Sequence, residues 1–213
     1  MKKRTISFLS FLILGIILVS CNNSTPLVDQ KPVADSLATS LAVENNVDTS
    51  AVFNYKTTVL DKDHESVRIE KFSNDSTEDT FTVLVGKGLI SKTKTTLRVK
   101  DKSGKIVYER VFSTTELINE YDLGAIKSDK DMVDYIIKKA GDVIGKGLVD
   151  LNHLNPEDYL SVATKEQFTN YELFLDMKAK GRRLLNYTLN QENHYYLGYS
   201  DKDKKVVTII ECC

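Results

Sequence analysis

The sequence predicts an α+β fold, mostly antiparallel β, sandwich-like or a twisted sheet, with one or two helices inserted mid-chain. Three observations carry this. From Phe53 onward short runs of β-branched and aromatic residues are separated by Asp, Lys, Ser and Gly. Helical spacing of apolar residues is strong only around residues 128 to 141. Strand-like runs precede and follow that stretch instead of alternating with helices, which argues against a doubly wound nucleotide-binding sheet.

Taken in order, Tyr55 to Leu60 and Ser66 to Phe72 read as strands around the polar turn "DKDHE", residues 61 to 65. Phe81 to Val85, Thr95 to Lys100 and Lys105 to Phe112 continue the pattern, and "DKSG" joins the last two with Gly104 free to take positive φ. Ser113-Thr114-Thr115-Glu116 is a capping box that should start a short helix through Leu117 and Ile118. Ser128 and Asp131 repeat the device before Met132, Val133, Ile136, Ile137 and Ala140, with Gly141 as the expected stop. Asn155-Pro156 can open a single turn. Leu173, Leu175 and Met177 alternate as in a strand, although the segment from Tyr159 to Met177 reads equally as helix. "KAKG" then turns, Leu185, Tyr187 and Leu189 alternate, and Tyr195 to Tyr199 pairs with Lys205 to Ile210 around "SDKD".

Ahead of this domain, residues 1 to 20 have the layout of a secretory signal. Lys2, Lys3 and Arg4 precede an apolar run, Ile6 to Val19, that is short of the ~20 residues of a bilayer span. The run ends in Leu18-Val19-Ser20-Cys21, and here the chain resembles bacterial lipoproteins, whose lipobox matches at all four positions. The resemblance implies cleavage between Ser20 and Cys21, a diacylglyceryl thioether on the Cys21 sulfur, and acylation of the new amino group. Two or three chains hold a protein stably on a membrane without spanning it. By the same resemblance, Asn22 in place of Asp favours the outer membrane of a bacterial envelope. Residues 21 to 50 lack aromatics and read as the lipidated N-terminus and a tether, which as a coil would average roughly 30 Å end to end. Residues 51 to 213 form a single β-rich domain. Signal, tether and the stretch "GKIVYERVFSTTEL" together resemble small uncharacterised envelope lipoproteins of anaerobic gut-type bacteria, a likeness that carries no functional residue across.

Without the signal the chain has 26 basic and 30 acidic residues, near −4 in net charge, a balance that speaks against nucleic acid as partner. Lys87, Lys92, Lys94, Arg98, Lys100, Lys102 and Lys105 lie close together, either as a face for anionic headgroups or polysaccharide or as the solvated side of strands. "HYYLGY", residues 194 to 199, with Tyr187 is the aromatic concentration. Tyr187, Tyr195 and Tyr196 are candidates for stacking on sugars or anchoring a protein, with cross-strand packing as the plainer reading.

"GDVIGKG", residues 141 to 147, has the wrong glycine spacing for a phosphate loop and no Ser/Thr after Lys146. "VGKGLI" at 85 to 90 and "IGKGLV" at 144 to 149 are two similar turns, not a repeat. His64, His153 and His194 show no metal-ligand or triad spacing, and no cofactor or metal is expected. His64 among Asp61, Asp63 and Glu65 reads as a solvated hairpin tip. Asp35-Ser36-Leu37 and Asp75-Ser76-Thr77 look like sites of envelope glycosylation systems. Cys212 and Cys213 can form a strained vicinal disulfide, pair with other chains, or remain thiols. The function these features point to is a membrane-anchored, non-enzymatic binding or assembly module for an envelope protein or glycan, using the Tyr187/Tyr195/Tyr196 face or Lys92, Lys94 and Arg98. The alternatives are a hydrolase of envelope material, with His64 or His194 as acid or base, and a structural spacer.

Overall fold

Among the described residues ten strands form two four-stranded antiparallel sheets and one short pair. The computed structural model describes residues 53 to 212. Ser20, Cys21, the tether with Asp35-Ser36-Leu37, and Cys213 lie outside the described residues. Within them the fold is α+β and β-rich, as the alternation predicts.

The first sheet has the order β2-β3-β5-β6, formed by β2 (His64–Lys71), β3 (Glu78–Val85), β5 (Lys94–Lys100) and β6 (Ile106–Ser113). Its inner face buries Phe81, Val83, Val85, Leu97, Val99 and Phe112. The outer face meets water, as antiparallel sheets allow. There Val67, Ile69 and Val111 are 55%, 60% and 57% exposed, among Thr82, Thr96 and Arg98. Beside this sheet the pair β1 (Val59–Leu60) and β4 (Gly88–Leu89) closes one end.

The second sheet, β10-β9-β8-β7, consists of β7 (Leu148–Asp150), β8 (Arg183–Leu189), β9 (Asn193–Ser200) and β10 (Lys205–Cys212). Both of its faces are covered, so its strands carry adjacent apolar residues instead of strict alternation. Leu185, Tyr187, Leu189, Tyr195 and Leu197 join the core shared with the first sheet. Leu184, Tyr196, Ile209 and Ile210 form a second core with Leu160 of α2 (Tyr159–Val162) and Phe174 and Met177 of α3 (Tyr171–Ala179).

Between the sheets lies α1 (Asp129–Gly145), which packs against β2, β3 and β8, while β6 runs beside β10. Met132, Ile136, Ala140, Val143 and Ile144 make its buried stripe at helical spacing. Arg68, on the inner side of β2, donates from one guanidinium nitrogen to the carbonyls of Ile144 (2.7 Å) and Gly145 (3.2 Å). A cation there satisfies the last carbonyls and opposes the negative end of the helix dipole. Glu70 pairs with Arg68 and, at 2.9 Å, with Arg183 of β8, which also donates to the Lys71 carbonyl. This chain of charges fastens β2 to the second sheet.

Several expectations need correction. Tyr55 to Leu60 is a 3-10 turn, Tyr55–Thr57, followed by the two residues of β1. The capping box is present, with Glu116 accepting from the Ser113 N–H at 2.9 Å, but the turn it starts ends at Leu117 because Ile118 is extended. Helix α1 runs past Gly141, whose added Cβ would meet only the Ser66 hydroxyl at 3.8 Å; the break comes at Gly147, with φ +87°. Leu173, Leu175 and Met177 belong to α3, since Phe174 and Met177, three apart, are the residues buried and Asn170 caps the start. His64 opens β2 instead of sitting in a turn, and Asp63 accepts from the Lys87 N–H at 2.7 Å. The two "GKGL" segments each place a positive-φ glycine, Gly88 and Gly147, ahead of a leucine in a short strand.

One buried carboxylate holds the β2–β3 connection. Asp79 is fully buried and accepts from the Phe72 N–H (3.1 Å), the Ser73 N–H (2.6 Å) and the Ser73 hydroxyl (2.9 Å). Asp79→Ala strands three donors, and because an unmet buried donor costs about 1–3 kcal/mol, the urea midpoint is expected to fall by at least one such step. Asp79→Asn, which keeps one acceptor oxygen, should fall less; equal losses in the two variants would show that the hydrogen bonds are not the source.

Candidate functional site around the β8–β9 turn

The tyrosines predicted to form an exposed binding face are buried: Tyr187 is 1%, Tyr195 4% and Tyr196 9% exposed. Tyr187 and Tyr195 are cross-strand partners with stacked rings 5.0 Å apart. Arg110 of β6 reaches across the core to them, donating to the Tyr187 hydroxyl (3.1 Å) and the Tyr195 hydroxyl (3.0 Å), its guanidinium carbon 4.0 Å from the Tyr195 ring centre. Tyr108 completes the group, 3.2 Å from the Tyr187 hydroxyl. Cross-strand packing is thus what these two rings do. Tyr196 points to the opposite face of β9, into the second core.

The basic run does not converge on one patch. Lys94, Arg98 and Lys100 share the outer face of β5, Lys92 precedes it, and Lys102 and Lys105 lie at the turn beyond its other end. Arg98 is engaged by Glu109 across the strands, with Nε 2.6 Å from the carboxylate.

The three histidines lie apart. His64 starts β2; His153 pairs with Asp150 at 2.8 Å on a loop where its side chain is 81% exposed. His194 alone lines a cleft, with Nδ1 3.0 Å from the Thr188 hydroxyl of its cross-strand partner. No carboxylate orients that ring, and no group of three or more His, Cys, Asp or Glu is placed to hold a metal among the described residues.

What the structure does bring together is the turn Asn190 to Glu192 between β8 and β9. Asn190 takes φ +52°, a left-handed conformation that asparagine tolerates. Its N–H donates to the Glu116 carbonyl at 2.6 Å, which pins the turn to the 3-10 segment Thr114–Leu117. Three clefts surround this turn. The first, about 580 Å3, lies between the turn and Tyr55, Thr115, Ile118 and Glu120. A second, about 250 Å3, opens toward Lys139, Asp142, Val143 and Lys146 of α1 and its end, with His194 on the facing wall. The third, about 320 Å3, is walled by Tyr159, Tyr196, His194 and Cys212. Gln191 lines all three.

The polar groups here divide into engaged and unengaged. Lys139 is 2.9 Å from Asp122, and that hydrogen bond, with a second from Tyr135, holds the Asp122 carboxyl below the usual carboxylate range. Asp142 is paired with Lys138 at 2.7 Å. By contrast the side chains of Asn190, Gln191, Glu192, Asn193 and Lys146 make no hydrogen bond or ion pair with another described residue. Such a surface offers donors, acceptors and one cation to a ligand and no activated nucleophile. Sequence reading passed over this turn as a break between strands. "NQEN", residues 190 to 193, is a visible concentration of amides, but its neighbours Lys146 and Tyr159 come from distant parts of the chain. Comparison with family models, curated proteins and solved structures finds no match to this chain.

Burial of the tyrosines sets a pH limit. Burial above all, then the neighbouring Tyr108, raises the Tyr187 phenol well above its ordinary value, outweighing Arg110. Burial likewise pushes Tyr135 up to about 12 and raises Tyr196 and Tyr199. The unfolded chain gives up these protons near pH ~10 while the folded chain retains them. Their contribution is therefore complete below that pH and is lost as pH rises toward the folded values. Denaturant midpoints should stay level up to about pH 10 and then fall, less steeply in Tyr187→Phe. A parent profile that continues level past that point would contradict the assignment.

Proposed function

We propose that this chain is a lipid-anchored binding module of a bacterial cell envelope, held on the outer membrane through Cys21 and engaging its ligand at the β8–β9 turn. The anchor rests on the Leu18-Val19-Ser20-Cys21 sequence, where the cysteine sulfur is the atom able to carry a glyceride. Binding without catalysis is supported by one observation above others: the turn places hydrogen-bonding side chains that the fold itself does not use at the junction of three clefts. Unsatisfied side chains on a turn whose backbone is pinned suit a recognition surface, because the backbone need not be ordered when the ligand arrives. Among the described residues no helix is long and apolar enough to cross a membrane.

Two measurements test this. The parent chain should begin at Cys21 and carry the mass of its acyl groups there, whereas Cys21→Ser should keep residues 1 to 20 and carry no acyl mass; a parent chain whose Cys21 bears no acyl mass would remove the anchor. A photoreactive residue at Gln191 should cross-link an envelope component in living cells, and one on the outer face of the first sheet, at Thr82, should not. Equal or absent capture at the two positions would remove the turn as the binding surface.

A further inference from the structure

We propose that the clefts at this turn take an acidic saccharide, with a sugar ring seated against Tyr159 and an acidic substituent directed to Lys146. The inference rests on the binding-module reading above and names its ligand class. Size is the first argument. At about 320 and 250 Å3, the two clefts that share His194 sit at or below the lower end of the ~300–1,000 Å3 of pockets for drug-sized ligands. Each admits a single ring-sized group, and Gln191 and His194 line both.

Chemistry is the second argument. The Tyr159/Tyr196 cleft is lined by the partly exposed Tyr159 and the nearly buried Tyr196, together with Gln191, Glu192, His194 and Cys212. A pyranose presents an apolar C–H face to aromatic rings and hydroxyls at its edge. An amide, which both donates and accepts, matches adjacent hydroxyls, and a carboxylate accepts from them. A flat apolar ligand would leave Gln191 and Glu192 unpaired.

Charge is the third. In the neighbouring cleft Asp142 is neutralised by Lys138, and Lys139 by Asp122. Lys146 is left as the cation without an ion-pair partner among the described residues. The uncompensated charge there is positive, so an acidic substituent is favoured over an amino or neutral one.

The test is calorimetric titration of the full chain with a galacturonic acid tetramer and with the neutral galactose tetramer. The acidic probe is expected to bind more tightly. Tyr159→Ala should weaken it about tenfold, the scale of an aromatic stacking contact, while Tyr159→Phe, which keeps the ring, should bind as the parent does. Lys146→Gln should remove the preference for the acidic probe, a loss of about fivefold for a solvent-exposed charge pair. Equal affinity for the two probes in the parent overturns the acidic assignment. Absence of saturable heat with either probe, or an unchanged affinity in a Tyr159→Ala chain with native circular dichroism, overturns the saccharide site. Should the Gln191 cross-linker capture an envelope protein while neither probe binds, the saccharide is wrong and the binding module stands.

Discussion

The guanidinium of Arg110 between Tyr187 and Tyr195 is the contact on which the arrangement of the two sheets depends. It is a half-buried charge at the edge of the core, without a carboxylate partner among the described residues. Two phenol oxygens accept from it and the faces of aromatic rings surround it. A cation in such a place is tolerated because the ring quadrupoles and hydroxyls replace its water. The geometry is demanding: β6 must lie close to the second sheet for one side chain to reach two strands of it. With β6 held beside β10, the remaining edge of the first sheet stands off, and α1 fills the space against β2, β3 and β8.

From that wedge follows the difference between the sheets. The first is covered on one face and keeps a Thr- and Val-rich surface in water; the second is covered on both, by the shared core and by α2 and α3. A close approach marks the tight side: Gly198 of β9 has Met177 of α3 so near that a Cβ would lie 2.3 Å from its sulfur. The β8–β9 turn lies at one end of the doubly covered sheet, and the packing of the strands behind it holds its backbone.

The sequence showed the first sheet best in β3 and β5, which alternate strictly, whereas β6 breaks step at a bulge, so that Val107 and Phe112 are both buried. Helix α1 was equally plain, yet its end was misplaced by four residues. A glycine inside a helix is read as a stop unless the tertiary reason for tolerating it is known, here that the Arg68 cap lies one turn further on. Helix α3 was ambiguous for another reason: three alternate apolar residues satisfy a period of two, and only the second core decides that Phe174 and Met177 face inward together. The site was less legible than the fold. Tyrosines were sought on a surface, but three tyrosines within one β-rich stretch are divided by the pleat, so that Tyr187 and Tyr195 enter one core and Tyr196 the other. Arg110 gave no signal at all, being one arginine among many charged residues until a fold sets it opposite two phenols.

That division of labour among the tyrosines also bears on how the site is held. Tyr195 and Tyr196 are neighbours in the chain and point to opposite faces of β9. One is locked by Arg110 and the stack with Tyr187; the other forms a wall of the cleft beside Tyr159. A rotation of β9 about its axis would have to break the Arg110 contacts before it could move the Tyr196 wall. The half-buried Arg110 therefore positions a cleft that it does not touch, through the planarity of a single peptide unit. A loop-borne aromatic in the same place would lose conformational entropy on binding, whereas a residue fixed by strand pairing on both sides has already lost it in folding.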